Sequence, residues 1–271
     1  MADVLTHYIT AKRFLEAHPG LSPEFARGLS FGSQGPDLFF FGATRGSYLY
    51  ARSIHAGDPA ALFSNLAEDL AGKGELYRGY ALGVLLHYFG DRNIHPYVGA
   101  YCSAHPSPYV HVFFESAIEA VAVRREFGAP VAAFDYGAAF RRDGRLVRAA
   151  YAFWKKRAGR GFRAAYVWRC FLGMAFLTKL FSRAHPRVVR LTEFFGRLTG
   201  KPEAAMAHFK RGLDESAMND ERRAWVAPDG PRLESVEDIL QRTVADFARE
   251  YEAILAGNYR FTHTERFSNG T

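Results

Sequence analysis

Apolar positions recur at helical spacing along nearly the whole chain. Ile9, Phe14 and Leu15 predict a first helix from Thr6 to Ala17, with Thr6 as its cap, Pro19-Gly20 as its stop and His7 in its first turn. A short helix follows from Pro23 to Leu29. The run from Phe31 to Asp37 reads as a loop because two glycines and a proline discourage regular structure. His55 closes an irregular stretch and opens a helix carrying Leu62, Leu66 and Leu70. Glu75 to Ile94 is the strongest helix of the first half, with Leu82, Leu85, Leu86 and Phe89; Pro96 disfavours helical geometry at His95 and predicts an end there. Further helices are expected over Tyr109 to Phe127, 137–157, 162–182, 186–198 and 202–217. A loop-like stretch from Asn219 to Arg232 leads to a capping box at Ser235 and Asp238 and a last helix within 233–256. Runs of alternating β-branched residues do not occur, so the fold class is all-α.

Polar residues inside this apolar pattern change the picture. His87, Asp91 and His95 are spaced i, i+4, i+8, and His111 and Glu115 are spaced i, i+4, so each set projects from one helix face. Asp91 sits within LGVLLHYFGDRNIHPY, where an unpaired carboxylate would be costly to bury and a cation would remove the cost. With His7, Asp37 and His55, these residues could build most of a multinuclear metal site. The competing reading is a hydrogen-bonded polar core. His18, His105, His185, His208 and His263 lack such context and read as ordinary core or surface histidines.

Composition sets the limits. The chain has 271 residues, 48% hydrophobic and 23% charged, which fits one large globular domain spanning 1–258 with a polar, frayed tail over 259–271. Within that domain the ligand candidates lie in 1–130 and a basic, aromatic-rich group of helices in 139–190. Cys102 and Cys170 are too few for a disulfide framework, so metal chemistry rests on nitrogen and oxygen ligands. The N-terminus shows no secretory signal, which implies a cytoplasmic location. The most apolar window, AAYVWRCFLGMAFLTKLF, is interrupted by Arg169 and Lys179 and reads as a buried helix rather than a transmembrane segment.

Charge is uneven. From Ala139 to Arg190, fourteen Lys and Arg face the single acid Asp143, a local +13 in a chain of +7, leaving −6 elsewhere. Interleaved with Tyr151, Phe153, Trp154, Phe162, Tyr166, Trp168 and Phe171, these cations suit peripheral contact with an anionic membrane or with single-stranded nucleic acid. The plain alternative is an aromatic core beneath a solvated basic face.

Thr6-His7-Tyr8, the run Gly32-Ser33-Gln34-Gly35-Pro36-Asp37-Leu38-Phe39-Phe40, His55, Gly83-x-x-x-His87-x-x-x-Asp91-x-x-x-His95-Pro96-Tyr97 and His111-x-x-x-Glu115 resemble, in order and content, the bacterial zinc-dependent phospholipase C family. Asn219-Asp-Glu-Arg-Arg-Ala-Trp225 followed by Pro228 looks like a segment of that family's cytoplasmic relatives. The resemblance covers the ligand-bearing half closely and the basic segment weakly. It implies a single multi-helix domain of the phospholipase C and zinc-dependent single-strand nuclease type. It also implies Asp37, His55, His87 and Asp91 as ligands of one zinc, and His95, His111 and Glu115 as ligands of a second. Asp91 would bridge towards a third zinc held by His7. Secreted members complete that third site with an N-terminal tryptophan exposed by signal cleavage; this chain starts at Met1 without one, so the resemblance leaves the third site short of ligands.

The resulting expectation is a metal-dependent phosphoester hydrolase that cleaves a phospholipid or related phosphodiester with a metal-activated water, Asp37 orienting or deprotonating that water. Arg92 and Arg45 are candidate cations should the third site be empty. Two alternatives stand beside it: a zinc-dependent nuclease or nucleotide phosphatase, and a non-catalytic scaffold in which the metals are structural. The three-ligand set His95, His111, Glu115 favours catalysis over the scaffold, because structural zinc sites are closed by four protein ligands.

Overall fold

Four glycines bring two helices into backbone contact at the centre of the molecule. In the computed structural model, which describes residues 4–107, 109–140, 143–158, 161–183, 185–198 and 214–267, helix α2 (Pro23–Gly32) lies against helix α6 (Glu75–Ala104). A methyl group on Gly28 or Gly32 would strike the backbone of Leu76 or Tyr80, and one on Gly79 or Gly83 would strike that of Phe25 or Leu29. Glycine is therefore required at this seam, and the close approach carries the chain after Gly32 down onto the middle of α6.

Helix α6 is the axis of the fold. Helices α1 (Val4–Ala17), α7 (Val110–Phe127), α9 (Gly144–Ala158) and α12 (Val236–Leu255) pack around it. Shorter elements are α3 (Arg45–His55), α4 (Pro59–Phe63), α5 (Leu66–Leu70) and α8 (Tyr136–Ala139). Helix α10 (Ala164–Arg183) docks on a 3-10 helix, Gly35–Gly42, and α11 (Pro186–Leu198) follows. Strands β1 (Trp225–Ala227) and β2 (Gly230–Arg232) form an antiparallel hairpin pairing Trp225 with Arg232. The described residues are mostly helical, as the periodicity predicts.

Several boundaries differ from the sequence reading. Helix α6 continues through Pro96 to Ala104. A proline in a helix interior costs about 3 kcal/mol, whereas burying Ile94, Tyr97 and Val98 against Phe114, Ile118 and Trp225 stabilises by about 1.5–3 kcal/mol per side chain. Packing wins. His55 ends α3 rather than opening the next helix, with Thr44 as the N-cap accepting from the Ser47 N–H. The Leu62, Leu66, Leu70 row is split between α4 and α5 at Ser64-Asn65. Part of the expected loop before Asp37 is 3-10 helix, and the 219–232 stretch holds the hairpin. The helix expected from Pro202 falls mostly outside the described residues; its last positions belong to a 3-10 turn, Glu215–Met218. The capping box is present, the Ser235 side chain accepting from the Asp238 N–H and the Asp238 side chain accepting from the Ser235 N–H.

The tail is not frayed over its described part. Phe267 is fully buried, and Phe261 and Phe267 pack on Tyr88 with ring centroids 5.3 and 5.1 Å away. The Tyr88 hydroxyl donates to the Glu265 carbonyl at 2.8 Å. Its polar composition concealed the two phenylalanines that anchor it. Helix α10 is buried on one side only, through Val167, Cys170, Phe171 and Met174.

Candidate metal centre

Three successive turns of α6 present His87, Asp91 and His95 to one point. Four other elements supply what faces them: α1 brings His7, the 3-10 helix Asp37, the last residue of α3 His55, and the first two turns of α7 His111 and Glu115. All eight candidates therefore converge, in three groups: His7, His87, Asp91; Asp37, His55, His87; and His95, His111, Glu115. Within each group one ligand atom per residue lies within 4.8 Å of the others.

Asp91 is the hub. Its Oδ1 is 3.2 Å from His7 Nε2, and its Oδ2 is 3.2 Å from His87 Nε2 and 3.5 Å from His55 Nε2. Asp37 Oδ1 lies 2.9 Å from His55 Nε2, and Glu115 Oε1 lies 2.9 Å from His111 Nε2 and 3.6 Å from His95 Nε2. His7, whose site the family resemblance leaves short of ligands, stands close to His87, ring centroids 4.1 Å apart. It groups with His87 and Asp91.

Backbone carbonyls orient three of the imidazoles. His87 Nδ1 faces the Ser33 carbonyl at 3.0 Å, His55 Nδ1 the Ala51 carbonyl at 2.8 Å, and His95 Nδ1 the Phe267 carbonyl at 2.6 Å. A carbonyl can only accept, so each Nδ1 carries the proton and each Nε2 is turned to the cluster. This is how metal-binding histidines are held in protein sites. Glycines make the room: a methyl group on Gly35, whose φ is +48°, would collide with the His87 ring, and one on Gly90 would lie 2.9 Å from His7 Nδ1.

Electrostatics separate the histidines. Complete burial pushes the His87 pKa down, outweighing the pull of Asp91. Burial acts the same way on His95, but Asp91 and Glu115 overcome it and raise the pKa to about 9. Burial alone would raise the Asp91 carboxyl; His87, His95 and His7 instead hold it well below the usual carboxylate range. Asp37 is likewise held low against its burial by His55 and His87.

These features fit a bound cation better than a polar core. Neither oxygen of Asp37 or Asp91, nor His87 Nε2, makes a hydrogen bond of sound geometry, although nitrogens and oxygens crowd within 2.9–3.5 Å. A neutral His87 aims a lone pair at carboxylate oxygens, which is repulsive without a positive charge between them. Ligands held about 2.0–2.2 Å from one ion in a tetrahedral site stand about 3.3–3.6 Å apart. The spacings here bracket that value. The buried His, Asp and Glu groups can thus hold metal, and their nitrogen and oxygen atoms suit zinc, iron or manganese.

Comparison of the chain with family models, with curated proteins and with solved structures finds no match.

Solvent reaches the cluster at two places. The His55 and His111 side chains are 13% and 28% exposed, against 7% or less for the other six. The candidate cations lie elsewhere. Arg92 pairs with Asp246 at 2.5 Å and lies over the Phe89 ring, joining α6 to α12. Arg45 is exposed at the opposite end of α3 from His55, about 15 Å along the helix. Of the other histidines, His18 stacks on Phe14, His105 on Tyr101, and His263 contacts Glu250, while His208 lies outside the described residues.

Sequence reasoning missed the carbonyls of Ser33, Ala51 and Phe267, which carry no residue-type signal. Gly35 and Gly90 were visible as glycines beside ligands, a usable hint of close packing. The segment from Asn219 to Trp225 packs on α6 two residues beyond His95: Asn219 donates to the carbonyls of Arg223 and Glu234, and Trp225 packs on Tyr97 with centroids 5.3 Å apart.

Proposed function

We propose that the chain is a metal-dependent hydrolase of phosphoesters, with a phospholipid or a related phosphodiester as substrate and zinc as the metal. One observation carries this reading: three groups of buried nitrogen and oxygen ligands share the carboxylate Asp91 or adjoin it, and the assembly opens to solvent at His55 and His111. The order of motifs resembling the zinc-dependent phospholipase C family points the same way. Divalent cations bound there would lower the pKa of water and offset charge on phosphoryl oxygens.

The chain's own residues divide the remaining work. Asp37, held as an anion at the His55 opening, is placed to orient the attacking water and take its proton on a carboxylate oxygen. Phe40, half-buried and 5.4 Å from His55, gives that opening an apolar edge, with the buried Phe267 ring 5.6 Å from His55 behind it. Tyr48, 49% exposed and 5.6 Å from Phe40, extends the edge outward. An apolar approach to a phosphate-binding centre suits an amphiphilic substrate better than a bare nucleotide.

The test is release of a phosphorylated headgroup from phospholipid vesicles, measured before and after chelation and after zinc is restored. Turnover lost on chelation, regained with zinc and abolished in Asp37→Asn supports the reading. Cleavage of single-stranded oligonucleotides with lipids untouched replaces it with a nuclease, and bound metal without turnover of either replaces it with a scaffold.

A further inference from the structure

Helix α11 turns its small residues inward and its large apolar residues outward. Val189 and Gly196 are its buried positions, seven residues apart and so nearly in line. On the opposite side Leu191, Phe194 and Leu198 form an i, i+3, i+7 stripe and are 57%, 57% and 67% exposed. Arg187, Arg190 and Arg197, all exposed, lie on or beside this stripe. The helix's one acid, Glu193, falls on the inward half. A surface helix of a globular protein ordinarily buries its apolar stripe; here the orientation is reversed.

The preceding helix repeats the combination. On α10 the exposed Phe176, Lys179 and Arg183 share one face, again at i, i+3, i+7, and Phe176 is 65% exposed. Residues Ala164–Phe181 are long and apolar enough to cross a membrane, with mean hydropathy 1.2, yet 28% of that window is buried against the protein. A methyl group on Gly173 would strike the Phe41 backbone, so α10 is fastened to the 3-10 helix that carries Asp37. Helix α10 is thus held against the protein along one face and leaves the other outward.

We propose that the outward face of α11 seats the protein on an anionic lipid bilayer. Leucine and phenylalanine would enter the acyl boundary while the arginines meet lipid phosphates, as in interfacial amphipathic helices. Charge separates this occupant from the others. A second copy docking on the same face would set Arg187, Arg190 and Arg197 against their like. Single-stranded nucleic acid would satisfy the arginines but has little use for Leu191 and Leu198, since bases stack on flat rings. Of the aromatics interleaved with the basic residues, Phe153, Trp154 and Phe171 are fully buried, Tyr151, Phe162 and Tyr166 pack part-buried against the core, and Trp168 is 38% exposed. None of the eight ligand candidates is on α11, and the proposal does not rest on what they do.

The test is co-sedimentation of the full chain with phosphatidylcholine vesicles containing about a third phosphatidylglycerol, and with phosphatidylcholine alone. The wild type is expected to pellet with the anionic vesicles and to be released by salt. Leu191→Ser/Phe194→Ser should weaken partitioning by roughly tenfold or more with unchanged circular dichroism, and Arg187→Gln/Arg190→Gln should remove the preference for anionic lipid. A Phe194→Trp reporter should shift its emission to the blue on vesicle addition. Absence of wild-type pelleting, equal pelleting of the serine variant, or an unshifted reporter would overturn the proposal. Loss of a dimer in the serine variant with vesicle binding retained would do the same.

Discussion

The Phe267 carbonyl lies 2.6 Å from Nδ1 of His95, joining the end of the described chain to a ligand candidate 172 positions earlier. The contact makes the tail part of the candidate metal centre. Phe267 also sets its ring 5.6 Å from His55 and 5.9 Å from His87, so one residue touches histidines of two ligand groups.

Removing the tail should therefore cost more than its polar composition suggests. Truncation after Asn258 frees His95 to rotate, and loss of such an outer partner typically lowers metal affinity 10–100-fold. Phe267→Ala, which keeps the carbonyl, should cost about 3 kcal/mol or more from the lost burial. Competition with a chromogenic chelator measures the first, and chemical denaturation of the metal-free variant measures the second.

The glycine seam between α2 and α6 links packing to ligand placement. Gly83→Val forces the helices apart and moves the Ser33 carbonyl away from His87 Nδ1. Overpacking of this kind costs about 1–3 kcal/mol, and metal affinity should fall with it. Retained affinity at reduced stability would show that the Ser33 contact is dispensable.

The opposed histidine shifts give the metal-free protein a definite pH dependence. His95 titrates at about 9 in the fold against 6.5 as the ordinary value, so its contribution is complete below pH 6.5 and lost as pH rises to about 9. That loss is worth at most about 3 kcal/mol, and His55, also raised, acts in the same direction. His87 is lowered, so its contribution is lost as pH falls below 6.5. Thermal unfolding in chelator should peak near pH 6.5. With zinc bound these imidazoles no longer titrate freely, and the melting temperature should stay level between pH 7 and 9.

The helical architecture was legible because periodicity reports burial directly. The candidate residues were legible too, since the i, i+4 spacing of His and Asp within an apolar run marked out side chains that the fold brings together. What escaped the sequence was tertiary. Pro96 marks a local preference that the packing of Tyr97 and Val98 overrides, and His55 is placed by a cap at Thr44, eleven residues earlier. His7, paired with Asp91 by the resemblance but left without a further partner there, stands beside His87 as well. In the basic segment, composition could not show that Phe153 and Trp154 face inward while Phe176 faces out.

Asp91 and His7 should differ in reach. Asp91→Asn touches every neighbouring imidazole and should reduce metal binding at more than one group, while His7→Ala should affect only the group it shares with His87 and Asp91. Stepwise zinc titration by calorimetry would separate the two, and equal loss in both variants would contradict the central place given to Asp91.

The most direct measurement is the metal content of protein purified without chelator, read by elemental analysis alongside thermal stability. The expected result is about two or more divalent cations per chain, falling sharply in His87→Ala, with a melting temperature that drops on chelation and recovers with zinc. A metal-free protein whose stability neither chelator nor zinc alters would contradict the metal centre and the function proposed for it.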